Sequence, residues 1–417
     1  MLKLSQKIGL CLTLISGILI GNPNHTLAKP IQETSGNKQF LRDIYTENLE
    51  AAKYFQVGVR YYQNREFARA IPEFKNALRF DPNMFMAYYL LGNAWMQQEE
   101  ISQAILAYED AVKVNPKFAE GHYNLGLALY QQDNLSKATQ AFQQAISLNP
   151  DLVNAYYNLG LILDRQKRYN QASSLYRETI KREPNHLFAH YNLGLVLSKQ
   201  GEVTEAIASL EKAIALEPEF PEAYYQLGLL YSKQKQYDLG QQAFQRNLEL
   251  SSNNPTALYH LGVTQLRLGN YSEAAKSLER SISLDPSNFD AQHQLGIALM
   301  QQKKYNGAIK VLNQAVILNP KEPIARYNLA VAYHLDRNYS QAITQYQNTI
   351  NLAPQLAEAH LNLGIALQES GAPKAAVTSL LEARRLFLEQ EKLAKVKEVD
   401  LYIEQKIMPA IAPLSTP

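Results

Sequence analysis

LFAHYNLGLVLSKQGEVTEAIASLEKAIALEPEF, residues 187–220, carries the fold in one line. Its apolar residues return every three or four positions in two blocks, the pattern of two amphipathic helices. Gly201 separates the blocks and Pro218 stops the second, as helix breakers do. The same line repeats along the chain with a period of 34 residues. Prolines stand at Pro82, Pro116, Pro150, Pro184, Pro218, Pro286, Pro320 and Pro354, and glycines at Gly58, Gly92, Gly126, Gly160, Gly194, Gly228, Gly262, Gly296 and Gly364. Self-similarity at this length means one supersecondary unit stacked many times, so an all-α solenoid is expected. The frame gives ten units: 51–84, 85–118, 119–152, 153–186, 187–220, 221–254, 255–288, 289–322, 323–356 and 357–390.

The recurring residues have mechanical reasons. A glycine inside a helix costs about 1 kcal/mol relative to alanine, which a repeat tolerates where another helix comes close. A row of small residues in the second helix (Ala70, Ala104, Ala138, Ala172, Ala206, Ala274, Ala308, Ala342, Ala376) is expected opposite it. Ala330 replaces the glycine in the ninth unit. Leu91, Leu125, Leu159 and their equivalents fill the core, as does the aromatic or leucine row from Phe74 through Tyr108, Phe142 and Tyr176 to Leu380.

These residues resemble the tetratricopeptide repeat family, whose aromatic, Leu-Gly, Ala, aromatic, Ala and Pro pattern nearly every unit meets. The resemblance covers residues 51–390 and extends to the repeat arrays of protein O-linked N-acetylglucosamine transferases, whose transferase part has no counterpart here. It implies helix–turn–helix units stacked into a right-handed superhelix, with a concave groove lined mainly by the first helices.

The sixth unit departs from the frame, with Ser252 for proline, Gly240 in the alanine row and Asn247 where alanine is usual. A mid-helix glycine and a lost stop signal predict a hinge or irregular packing around 240–255. Residues 29–50, with Phe40, Leu41, Ile44, Tyr45 and Leu49, read as a linker and N-terminal capping helix. Leu393, Val396, Val399, Ile403 and Ile407 read as a C-terminal capping helix over 391–408 that stops before Pro409, with a disordered tail over 409–417.

Residues 1–28 stand apart. Lys3 and Lys7 precede an apolar run of 13 residues, Ile8–Ile20, and Thr26-Leu27-Ala28 offers small residues for cleavage. The run is shorter than the roughly 20 residues needed to span a bilayer. An exported protein (periplasmic, lumenal or extracellular) with a cleaved signal peptide is expected, with an uncleaved anchor at residues 8–20 as the alternative; membrane contact follows only from that alternative. Cys11, the single cysteine, lies in this run, which excludes cysteine catalysis, Cys-ligated zinc and disulfides in a processed chain. The net charge of +2 argues against a nucleic-acid partner.

No phosphate loop, HExxH or nucleophile elbow occurs, so neither an enzyme nor a cofactor is expected. His186 and His190 are four apart, a metal-pair spacing. His190, however, occupies a slot held by Tyr88, His122, Tyr156, Tyr224 and His360, which reads as aromatic packing, so no metal site is expected.

The candidate site is a set of rows on the first helices. Asn124, Asn158, Asn192, Asn328 and Asn362 form a carboxamide ladder; it can bond an extended peptide backbone or a neighbouring unit. Resemblance to the O-linked transferase arrays implies peptide contact. Beside it run Tyr123, Tyr157, Tyr191 and Tyr225, and four residues on, Leu161, Leu195 and Leu229 among other aliphatics, adjoining on a helix. In place of the Lys and Asn of a carboxylate clamp, the chain has Tyr and aliphatic. Arg165, Lys199, Lys233 and Arg267 align near the first-helix ends, where cations suit the helix dipole or a weakly acidic partner. The expected function is a monomeric protein–protein interaction scaffold holding extended peptide segments, with an assembly or chaperone-like factor as its natural subtype. Two alternatives remain open: a glycan- or polymer-binding or polysaccharide-export role, and a targeting subunit for an enzyme acting in trans.

Overall fold

The computed structural model describes residues 46–411. The expected signal and anchor segment, Cys11, and Phe40, Leu41, Ile44 and Tyr45 of the expected N-terminal cap lie outside the described residues, as do 412–417. The fold divides after Lys167 into two compact units. The first contains α1 (Leu49–Gln63), α2 (Phe67–Phe80), α3 (Phe85–Gln97), α4 (Ile101–Val114), α5 (Ala119–Gln131), α6 (Leu135–Leu148) and α7 (Val153–Arg165). The second opens with α8 (Tyr169–Arg182). Six antiparallel pairs follow: α9 (Leu187–Gln200) with α10 (Val203–Leu216), α11 (Pro221–Lys233) with α12 (Tyr237–Leu250), α13 (Pro255–Arg267) with α14 (Tyr271–Leu284), α15 (Phe289–Gln301) with α16 (Tyr305–Leu318), α17 (Pro323–Leu335) with α18 (Tyr339–Leu352), and α19 (Ala357–Glu369) with α20 (Pro373–Glu389). α21 (Leu393–Tyr402), a π turn (Ile403–Ile407) and α22 (Met408–Ile411) close it. The described residues contain no strand, and the helix pairs keep the 34-residue frame throughout. This is an all-α solenoid.

The frame glycine has a sharper role than the sequence assigned it. A Cβ on Gly228 would lie 2.5 Å from the Phe244 ring, and one on Gly296 would lie 2.4 Å from Leu312. The bare backbone therefore receives the large side chain of the second helix, and the alanine row stands behind it; the Ala206 carbonyl is 3.1 Å from a Cβ on Gly194. In the ninth unit Ala330 and Tyr346 are both fully buried, so there the extra methyl is accommodated.

A third row on the same period governs the turn inside each unit. Arg65, Glu99, Asp133, Lys167, Lys235, Lys303 and Arg337 have φ between 60° and 65°, and Gly201, Gly269 and Gly371 occupy the equivalent positions at 80–88°. A left-handed residue terminates the first helix so that the chain can reverse. Outside glycine that conformation is costly.

The hinge expected around 240–255 is not formed. α12 runs unbroken through Gly240, where a Cβ would meet Ser232 Oγ at 2.8 Å, so this glycine serves close packing. Asn247 Nδ2 donates to the Pro221 carbonyl at 2.7 Å, as Ser281 Oγ does to the Pro255 carbonyl. The missing proline at 252 is replaced by Asn254, whose side chain accepts from Ala257 N at 3.1 Å, followed by Pro255 at the helix start. A cap and N1 proline delimit a helix as firmly as a terminating proline.

Both ends also differ from expectation. Leu49 opens the first repeat helix, with the Asn48 side chain accepting from Glu50 N and Ala51 N. At the other end α20 stops at Glu389, where Glu391 adopts φ 56°. The closing helix passes through Pro409 to Ile411, so residues 409–411 are helical. The π turn at Ile403–Ile407 directly precedes Met408 and Pro409, a local change of helical register of the kind found where a helical run carries a proline.

Lys303→Gly should relieve roughly 1 kcal/mol of left-handed strain, seen as slower hydrogen exchange in α15 and α16. Gly201→Ala should speed exchange in α9 and α10 by a similar free energy.

Candidate functional site

The asparagine and tyrosine rows prove to be one structure. Asn124 Nδ2 donates to the Tyr89 hydroxyl at 3.1 Å, Asn158 Nδ2 to Tyr123 at 3.1 Å, and Asn362 Nδ2 to Tyr327 at 2.7 Å. Each bond joins the first helices of successive repeats. The offset of 35 residues is one period plus the single step between the rows. Where His293 replaces tyrosine, Asn328 Nδ2 meets its Nε2 at 2.6 Å; that nitrogen must accept, so the ring is the Nδ1–H tautomer. Asn124 and Asn158 are buried, and their carboxamide donors are spent inside the stack.

Around the second and third repeats this ladder widens into a polar cluster. Asn93 Oδ1 accepts from the Tyr108 hydroxyl at 2.6 Å and from Asn124 Nδ2 at 2.9 Å. Burial, with the nearby Tyr89 phenol, pushes the Tyr62 phenol up to about 12. Burial likewise raises Tyr89, Tyr123 and Tyr327, opposed by their asparagine partners. These phenols are neutral donors and acceptors across the physiological range.

The tyrosine rings lie over second-helix and loop aromatics. Tyr123 stands 5.7 Å from Phe142, Tyr191 4.8 Å from Phe220, and Tyr225 6.0 Å from Phe244. Tyr157 is buried, whereas Tyr123, Tyr191 and Tyr225 are half-buried. Leu161, Leu195 and Leu229 are half-buried too. Within the second unit Leu195 and Leu229 continue through Val263, Ile297, Val331 and Ile365 as a stripe of partly open aliphatics on six successive first helices.

The four aligned cations are all exposed but are not equivalent. In the first unit Arg165 pairs with Asp133 of the preceding turn at 2.6 Å. In the second, Lys199 lies over the Tyr169 ring at 5.2 Å, while Lys233 and Arg267 form no ion pair among the described residues. The turn residues facing that stretch, Gly201, Lys235 and Gly269, supply no carboxylate.

The histidines are structural donors and acceptors. His190 Nε2 donates to the Pro184 carbonyl at 2.8 Å, and His122 and His360 donate to Pro116 and Pro354 at 3.0 Å. His186 Nδ1 accepts from Ala189 N at 3.1 Å, capping α9. Among the described residues no three His, Cys, Asp or Glu side chains converge on a metal geometry, and no helix is long and apolar enough to cross a membrane. An open pocket of about 670 Å³ lies between α18, α19 and α20. Its His360 is committed to Pro354, and its Arg385 to Glu382 and Glu389 at 2.5 Å.

The left-handed turn row escaped the sequence reading, and the asparagine bond to a neighbouring unit was one of its two readings but without the tyrosine partner. The left-handed turn row was signalled by Gly201, Gly269 and Gly371 falling at multiples of the period. The asparagine–tyrosine bond was signalled by the adjacency of the two rows.

Models described as "TPR repeat" match residues 92–133, 197–235 and 338–371. Models described as "Tetratricopeptide repeat" match 58–109, 119–152, 141–172, 175–208, 219–287, 265–332 and 299–348. No curated protein matches. Among solved structures, the C-terminal part of a TPR repeat-containing protein from Cytophaga hutchinsonii is 17% identical, with TM-score 0.50 over 57% of this chain and 97% of that one. MamA is 31% identical, with TM-score 0.38 over 39% and 95%. YrrB, a TPR protein with an unusual peptide-binding site, is 23% identical, with TM-score 0.42 over 44% and 95%.

Removing the carboxamide strands a part-buried phenol, so Asn362→Ala should cost about 1–2 kcal/mol. Paired with Tyr327→Phe in a double-mutant cycle, it should show a coupling of roughly 1 kcal/mol in α17–α19 hydrogen exchange. The Tyr62 phenol, raised to about 12 from about 10 when unfolded, favours the fold fully below pH 10. That contribution is lost as pH climbs toward 12. Alkaline unfolding monitored by circular dichroism should therefore begin later in Tyr62→Phe.

Proposed function

For a chain that belongs to the tetratricopeptide repeat family, we propose a non-enzymatic scaffold that grips an extended segment of a protein partner along the first helices of its second unit. The observation that carries this reading is the half-buried aliphatic stripe from Leu195 to Ile365, flanked by Tyr191, Tyr225, Tyr259 and Tyr327. Apolar side chains left partly open on successive helices are the surface feature that pays for association when covered. Lys233 and Arg267 favour a partner segment with acidic residues at one edge. The asparagine row contributes by fixing the spacing of the stripe, because Asn328 and Asn362 Nδ2 bond His293 and Tyr327 of the neighbouring repeats. Export completes the proposal, resting on Lys3, Lys7 and the apolar run at 8–20.

Fluorescence anisotropy of the full chain against a panel of extended apolar–acidic peptides tests it. Leu195→Glu with Leu229→Glu should weaken the best binder by about tenfold or more. Lys233→Glu with Arg267→Glu should weaken acidic peptides selectively and flatten their salt dependence. Unchanged binding in both pairs would dismiss the first-helix face as the site.

A further inference from the structure

The closing segment covers the end of the tenth repeat with Val396, Val399 and Ile407, all buried, and Arg384 Nε on α20 donates to Asp400 Oδ1 at 2.6 Å. The outward face of such a cap replaces the next repeat and is ordinarily polar. Here the exposed residues Leu393, Lys397, Leu401, Glu404 and Met408 follow one another at helical spacings of three and four and share one side. Leu393 is 61% exposed, Leu401 52% and Met408 55%. Three large apolar side chains in one outward stripe mark a surface that is covered in use.

The order of the stripe identifies what covers it. Laid antiparallel on itself about a point between Asp400 and Leu401, it sets Leu393 against Met408 of the copy and Lys397 against Glu404, with Leu401 beside its equivalent. Lys397 and Glu404 form no ion pair among the described residues, although their neighbours Lys395 and Asp400 do. A parallel register would oppose like charges. We propose that this face docks a second copy of the chain across a two-fold axis, in an isologous antiparallel contact. One helix pair lies at the small end of stable interfaces, so the dimer is concentration-dependent, in place of the monomer expected from sequence.

Sedimentation velocity of the full chain over a concentration series at low salt tests the contact. A monomer–dimer equilibrium is expected, lost in Leu401→Asp. Lys397→Glu and Glu404→Lys should each weaken it about tenfold. An equimolar mixture of those two variants should recover association, since one chain then presents two negative charges and the other two positive. Circular dichroism verifies that each variant is folded. A monomer at every concentration, association that survives Leu401→Asp, or a mixture no tighter than its components would overturn the proposal.

Discussion

The structure depends on one close approach: the second helix of a repeat lays a large side chain on the bare backbone of the first, with Ala330 in glycine's place only in the ninth. Phe74, Phe142, Tyr346, Leu210 and Leu312 are fully buried at this contact row. In most repeats the glycine beneath leaves less room than a methyl group needs. The helix pair is held by shape, and truncating such a side chain typically costs several kcal/mol. Because the repeats place a large side chain at the same position on the first helix, the helix pairs recur in the same 34-residue frame. Rows of residues on the first helices consequently become lines on a surface.

Between repeats the currency changes from shape to hydrogen bonding. The Asn-to-Tyr bonds at 89–124, 123–158 and 327–362 tie adjacent first helices at a polar seam that would otherwise be desolvated without return. His–carbonyl bonds pin the start of the first helix to the turn that precedes it. A buried polar seam is directional where apolar packing is not, so it fixes the register of one repeat on the next.

The fold was legible because its determinants are local and repeated. Pro218, Gly201 and the three-to-four spacing of residues 187–220 define a helix pair without reference to anything distant. The misreadings came from treating single departures as weaknesses. Gly240, Asn247 and Ser252 look like defects one at a time, yet Ser232 sits against Gly240, Asn247 bonds the Pro221 carbonyl, and Asn254–Pro255 restarts the chain. Compensation of this kind is tertiary, and periodicity carries no trace of it. The candidate site was legible as rows but not as bonds. Sequence placed Asn158 and Tyr123 on the same period, and only the packing of repeats shows that they satisfy each other.

Under the proposed function, that distinction decides which rows carry binding specificity. A carboxamide already donating to a phenol can offer a partner little beyond its remaining hydrogen-bonding capacity, and a buried phenol kept neutral offers no charge. Variable recognition then falls to groups the architecture leaves uncommitted: the half-open aliphatics at 195–365 and the exposed cations Lys233 and Arg267. Apolar contact supplies affinity with little sequence preference, while unpaired cations reject partners of the wrong sign. On the proposed function, the polar rows set the spacing and the apolar and charged rows meet the partner. Substitutions in the first therefore bear on how repeats pack, and substitutions in the second on the proposed partner contact.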